Sequence, residues 1–191
     1  TISRKNTFWH DYFFFLSLSG FNNLEIFFSG DLCECNSCHD CSEKLDSDNC
    51  LNGVILTLNI TKIGLNCIED PNNFQNKIFD CDGHKLEGIP NTDAQAFYLN
   101  EKSGNTIRNC VISGFKRGIY IKDASEKNIL ENNHIRNNSN YGIAIKNSLN
   151  QEIRNNEVLF NSWDGIRLYS GVENSLIKDN IVKFNEDGIE I

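Results

Sequence analysis

The sequence predicts an all-β chain, a parallel β-helix: a single-stranded solenoid with coils of about 23 residues. Three observations predict it. A Gly-Ile-x-aliphatic motif recurs at Gly118, Gly142, Gly165 and Gly188, in steps of 24, 23 and 23 residues. An aliphatic-bracketed polar motif precedes each one, over Ile107–Ile112, Leu130–Ile135, Ile153–Val158 and Ile177–Val182. No run has helical periodicity long enough for a helix of about ten residues, so a helical or leucine-rich solenoid is excluded.

Taken in order, residues 1–32 form an apolar leader carrying seven of the thirteen phenylalanines. Arg4 and Lys5 precede the run beginning at Tyr12, the order of a secretory signal. The uncharged stretch from Tyr12 to Leu24 is thirteen residues, too short to span a bilayer, so no membrane span is expected. Three readings stand: a signal-like leader, an apolar cap on the open end of the solenoid, or a misread start.

Residues 33–53 are Cys-rich, with Cys33, Cys35, Cys38 and Cys41 close together and His39 among them. Such spacing can gather thiolates around one metal, although it matches neither a zinc ribbon nor a complete ferredoxin run. The even total of eight cysteines favours a disulfide framework in an exported protein. Cys50 is expected to pair with Cys67, because the two bracket the strand-like Val54–Ile60. Cys81 and Cys110 occupy equivalent places in adjacent coils, where they either bond or stack.

Residues 54–191 are the solenoid. In Gly-Ile-x-Ile the aliphatics share one face with period two and point inward. Asparagine suits the bends, because it tolerates a left-handed backbone. Asn109, Asn132, Asn155 and Asp179 form one column; Cys110, Asn133, Asn156 and Asn180 form the next. Amides stacked at one strand spacing can hydrogen-bond along the axis, and either column could be the inward one. The stretch Glu87–Gln95 lengthens its coil and is expected to bulge over a binding face. Ile191 completes a strand in mid-stack, so the chain is expected to be a fragment with further coils beyond it.

The Gly-Ile-x-Ile and Ile-x-Asn-Asn-x-Ile columns resemble the right-handed parallel β-helix repeats of pectate-lyase-like proteins. More narrowly they resemble the NosD-type periplasmic β-helix and the carbohydrate-binding and sugar-hydrolase β-helix domain. Ile78-Phe-Asp-Cys-Asp-Gly-His-Lys-Leu86 is similar to the opening coil of that family. The resemblance implies a right-handed helix over residues 54–191 and a site on the sheet built from Gly-Ile-x-Ile. NosD-type proteins are associated with copper, which takes soft or imidazole ligands. This chain has no Met and four widely separated His, so the copper role is not carried over and no cofactor is expected.

Net charge is −8, but residues 101–191 balance 12 basic against 12 acidic side chains. Without a basic stripe, nucleic acid is not an expected partner. Two sequons, at Asn59 and Asn137, fit an extracellular, periplasmic or cell-surface location. The outward positions carry Tyr98, Tyr120, Tyr141 and Tyr169, candidate platforms for a polysaccharide or cell-surface glycan. Asp164 and Asp187, in adjacent coils about one strand spacing apart, are candidate catalytic carboxylates, with Arg167 beside them. The ordinary alternative for both is turn chemistry before glycine. The expected function is therefore an exported module that binds carbohydrate or builds a surface, with polysaccharide hydrolysis or lysis and metal-dependent maturation as alternatives.

Overall fold

A computed structural model describes residues 31–90 and 92–191. The expected leader lies outside the described residues, apart from Asp31 and Leu32. The described residues begin with strand β1 (Cys33–Cys35) and helix α1 (Cys38–Asp46). Coils of three strands follow. The first two are β2 (Gly53–Leu56), β3 (Ile60–Thr61) and β4 (Ile68–Glu69), then β5 (Ile78–Asp80), β6 (Lys85–Glu87) and β7 (Gln95–Asn100). The third and fourth are β8 (Thr106–Arg108), β9 (Val111–Ser113) and β10 (Arg117–Lys122), then β11 (Ile129–Glu131), β12 (His134–Arg136) and β13 (Ile143–Lys146). The last two are β14 (Glu152–Arg154), β15 (Glu157–Leu159) and β16 (Ile166–Tyr169), then β17 (Leu176–Lys178), β18 (Ile181–Lys183) and β19 (Ile189–Glu190).

Each strand pairs with its counterpart one coil away, giving a seven-stranded sheet led by β1 and two six-stranded sheets. Every pairing is parallel; for example Ile143 faces Ile166 and Ile166 faces Ile189. The aliphatics of each coil stack on those of the next. Phe79, Ile107, Leu130 and Ile153 line one wall of the interior, and Leu86, Ile112, Ile135 and Val158 line another. All of these are buried. Removing such area from water supplies the main drive for stacking the coils.

The inward polar column is now assigned. Asn133 donates to Asn156 and Asn156 to Asn180, each at 3.0 Å. Asn132, Asn155 and Asp179 instead take the left-handed bends, at φ of 54–55°. A second ladder, Asn138 to Asn161 to Asn185 with bonds of 2.9 Å, turns the corner between the second and third sheets. It repeats at the same spacing as the first.

Helix α1 was not expected. Ser37 accepts from the backbone of Asp40, and Asp40 accepts in return from the backbone N–H of Asn36, a reciprocal cap. Lys44 pairs with Asp40 one turn away at 2.8 Å. The helix buries Cys38, Cys41 and Leu45 against β1, β2 and β4, and so covers the first coil. Disulfides fasten it: Cys35–Cys41, Cys38–Cys67 and Cys33–Cys50, with Cys81–Cys110 joining two later coils. The expected Cys50–Cys67 pair is thereby corrected. Bracketing one strand does not bring two cysteines together, because the strand carries Cys67 round to the third sheet while Cys50 stays beside β1. The metal reading of Cys33, Cys35, Cys38 and Cys41 is corrected too, since a disulfide sulfur has no thiolate to offer.

Candidate functional site

The third sheet, β4-β7-β10-β13-β16-β19, carries the Gly-Ile-x-Ile strands and positions every candidate residue. Its apolar side chains Phe97, Ile119, Ile143 and Ile166 point into the core, so the intervening side chains point out. The registers place Tyr98, Tyr120, Ala144, Arg167 and Glu190 in one outward row. Asn100, Lys122, Lys146 and Tyr169 form the row beside it.

The lower part of this face is aromatic and cationic. The Tyr98 and Tyr120 rings lie 5.9 Å apart and tilted. Arg117 sits over Tyr120 at 4.6 Å and within 5.8 Å of the Tyr141 ring. Arg167 lies between Tyr141, at 5.4 Å, and Tyr169, at 5.5 Å. The Tyr169 hydroxyl reaches two coils back to the Tyr120 hydroxyl at 3.3 Å. Burial, then the contact with Tyr120, pushes the Tyr169 phenol up to about 12. Lys122 is held charged chiefly by Asp123, at 3.0 Å, with Tyr98 adding to it.

Tyr141 is not the exposed platform the sequence suggested. It is 7 % exposed, and burial raises its phenol. It serves as a partner for both guanidinium groups and for Trp163, whose ring meets it edge-on at 5.5 Å. Trp163 is 46 % exposed and was missed in the sequence, although an aromatic beside Asp164 in the turn between two strands of one coil was a usable signal.

The upper part is acidic. The carboxylate oxygens of Asp164, Asp187 and Glu190 lie within 4.8 Å of one another. With Trp163, Arg167 and Glu186 they line a concavity of about 370 Å³. Asp164 is 3 % exposed and bound by Arg167 at 3.0 Å, while Arg167 also reaches Glu190 at 2.6 Å. Loss of solvent and a hydrogen bond shared with Asp164 raise the Glu190 carboxyl against the pull of Arg167. The structure therefore brings Asp164, Asp187 and Arg167 together, and adds Glu190, which follows Arg167 in the outward row. These three carboxylates are the group among the described residues that could share a cation, but Arg167 already engages two of them.

A parallel β-helix with one chemically dressed sheet face is the class of protein that these coils define. The family described as the right-handed beta helix region matches residues 72–191, and the chain belongs to it. No curated protein and no solved structure matches the chain. Among the described residues no helix is long and apolar enough to cross a membrane.

Proposed function

We propose that this protein is an exported or surface-displayed module that binds carbohydrate along the outer face of its third sheet, without covalent chemistry. One observation carries this reading: rings and guanidinium groups run unbroken across four coils, through Tyr98, Tyr120, Arg117, Tyr141, Arg167 and Tyr169. Such rings offer apolar faces to sugar C–H groups, and their hydroxyls and the cations offer hydrogen bonds. The strands that hold them are fixed by coil-to-coil pairing, so little order is lost on binding an extended polymer. Four disulfides suit an oxidising compartment such as the extracellular space. A glycan array tests the reading. Binding is expected to fall with Tyr98→Ala and Tyr120→Ala, to survive Asp164→Asn and Asp187→Asn, and to release no product. An array with no glycan bound would overturn it.

A second reading, polysaccharide cleavage, is favoured by the acidic end. A glycosidase uses one protonated and one ionised carboxyl close together, and the upward push on the Glu190 carboxyl beside Asp164 and Asp187 supports such a pair. Product release that Asp164→Asn and Asp187→Asn abolish would establish it in place of the first.

A further inference from the structure

We infer that Arg117 is a receptor for an anionic substituent, a carboxylate or a sulfate, on the bound glycan. This rests on the carbohydrate-binding reading and names the chemistry of its ligand. Arg117 opens β10, and its guanidinium lies 4.6 Å from the Tyr120 ring centroid and 5.8 Å from that of Tyr141. Its Nε is shielded from solvent and has no hydrogen-bond partner among the described residues. No carboxylate pairs with it there either.

The contrast with its neighbours is chemical. Arg167, one coil beyond Tyr141, is held by Asp164 at 3.0 Å and Glu190 at 2.6 Å, so its donors are spoken for. Asp93, in the loop ahead of β7, is engaged by Lys116, and Arg117 acts on it only weakly. Lys122 is occupied by Asp123. Arg117 is thus a guanidinium fixed between two rings with its donors unspent. A guanidinium binds a carboxylate or sulfate through two parallel N–H donors. Because Nε is sealed from solvent, an anion arriving along the tyrosine row would take the two terminal nitrogens, and the Nε–H of the same guanidinium would report it, while the sugar ring packs on Tyr120 or Tyr98.

The test follows the Arg117 Nε–H resonance in the full chain, labelled with ¹⁵N, during titration with glucuronate, glucose 6-sulfate and glucose. Saturable shifts are expected with either anionic sugar and none with glucose; the two anionic arms distinguish carboxylate from sulfate. On the glycan array, Arg117→Gln is expected to lose at least about tenfold in affinity for anionic glycans, the scale of a charge-assisted hydrogen bond. Arg117→Lys, which keeps the charge without the fork, is expected to recover only part of it. An unmoved resonance with both anionic sugars overturns the inference even if Arg117→Gln fails to fold. Binding confined to neutral glycans also overturns it while leaving the carbohydrate reading intact. An unmoved resonance together with an empty array overturns the carbohydrate reading as well.

Discussion

The hydroxyls of Tyr169 and Tyr120 meet at 3.3 Å across an intervening coil. That coil contributes Ala144, which faces outward between Tyr120 and Arg167 yet is fully buried. The small side chain lets the two phenols close over it. Ala144→Leu is therefore expected to separate them and to lower glycan affinity while leaving the fold intact. The phenol contact also has a pH signature. Tyr169 titrates at about 12 in the folded chain, above the ordinary tyrosine value of about 10. The raised value means that the fold prefers the neutral phenol. Its contribution is complete below about pH 10 and is lost as pH rises towards 12. Tyr169→Phe is expected to flatten the fall in stability over that window, as measured by urea unfolding. An unchanged slope would count against the contact.

The two adjacent asparagine columns predict opposite outcomes for neighbouring residues. Asn156 accepts from the backbone and side chain of Asn133 and donates to Leu130 and Asn180, four bonds in the interior. Asn156→Ala leaves those partners unpaired and is expected to cost about 2–4 kcal/mol in urea unfolding. Asn155, one residue earlier, is exposed at φ 54°. Glycine adopts that conformation freely, so Asn155→Gly is expected to change stability by less than about 1 kcal/mol. Equal costs for the two would contradict the assignment of columns.

Those columns also mark how far the sequence could be read. The period and its aliphatics were visible, because each coil repeats one solution to the same burial problem, and the outward placement of Tyr98, Tyr120, Arg167 and Tyr169 followed from alternation alone. The choice between Asn155 and Asn156 was not visible, because both residue identity and period are shared by the two columns. Bend geometry decides it. The disulfide partners of Cys50 and Cys67 were hidden for another reason: they depend on α1, whose cysteines mask its apolar stripe. The cap Ser37-x-x-Asp40 was the one available signal for that helix. The burial of Tyr141 depends on Trp163, a contact between turns of adjacent coils that no single-coil periodicity reports.

Helix α1 depends on its cross-links more than on its own length. Nine residues form a marginal helix in isolation. Cys38–Cys67 ties it to the start of the third sheet, and Lys77 donates to the carbonyl of Leu45 at 2.6 Å near its C-terminus. The double substitution Cys38→Ala with Cys67→Ala is expected to cost about 2–4 kcal/mol. Hydrogen exchange should localise the loss. The amides of α1 and β4 are expected to exchange faster, while those of β10 and β13 keep their protection. Uniform loss of protection would mean that the cap and the coils unfold as one unit.

Asp80 supplies the acid limit of the early coils. It is 6 % exposed, pairs with Arg108 at 2.7 Å, and accepts from Asn109 and from the backbone of Asp82, each at 2.9 Å. Burial alone pushes its carboxyl up, but those three donors outweigh burial and hold it below the usual aspartate value. A depressed value means that the fold prefers the carboxylate. The contribution is complete above the unfolded value of about 3.9 and is lost as pH falls through the lower folded one. Asp80→Asn keeps the size of the side chain but gives Arg108 no charge to pair with. It is expected to cost about 1–3 kcal/mol at pH 7. As pH falls below the ordinary aspartate value and through the lower folded one, the wild-type and variant stabilities should converge, because the wild-type loses the charge that the variant lacks. A difference that persists unchanged from pH 7 to pH 2 would assign the cost to packing rather than to the charge on Asp80.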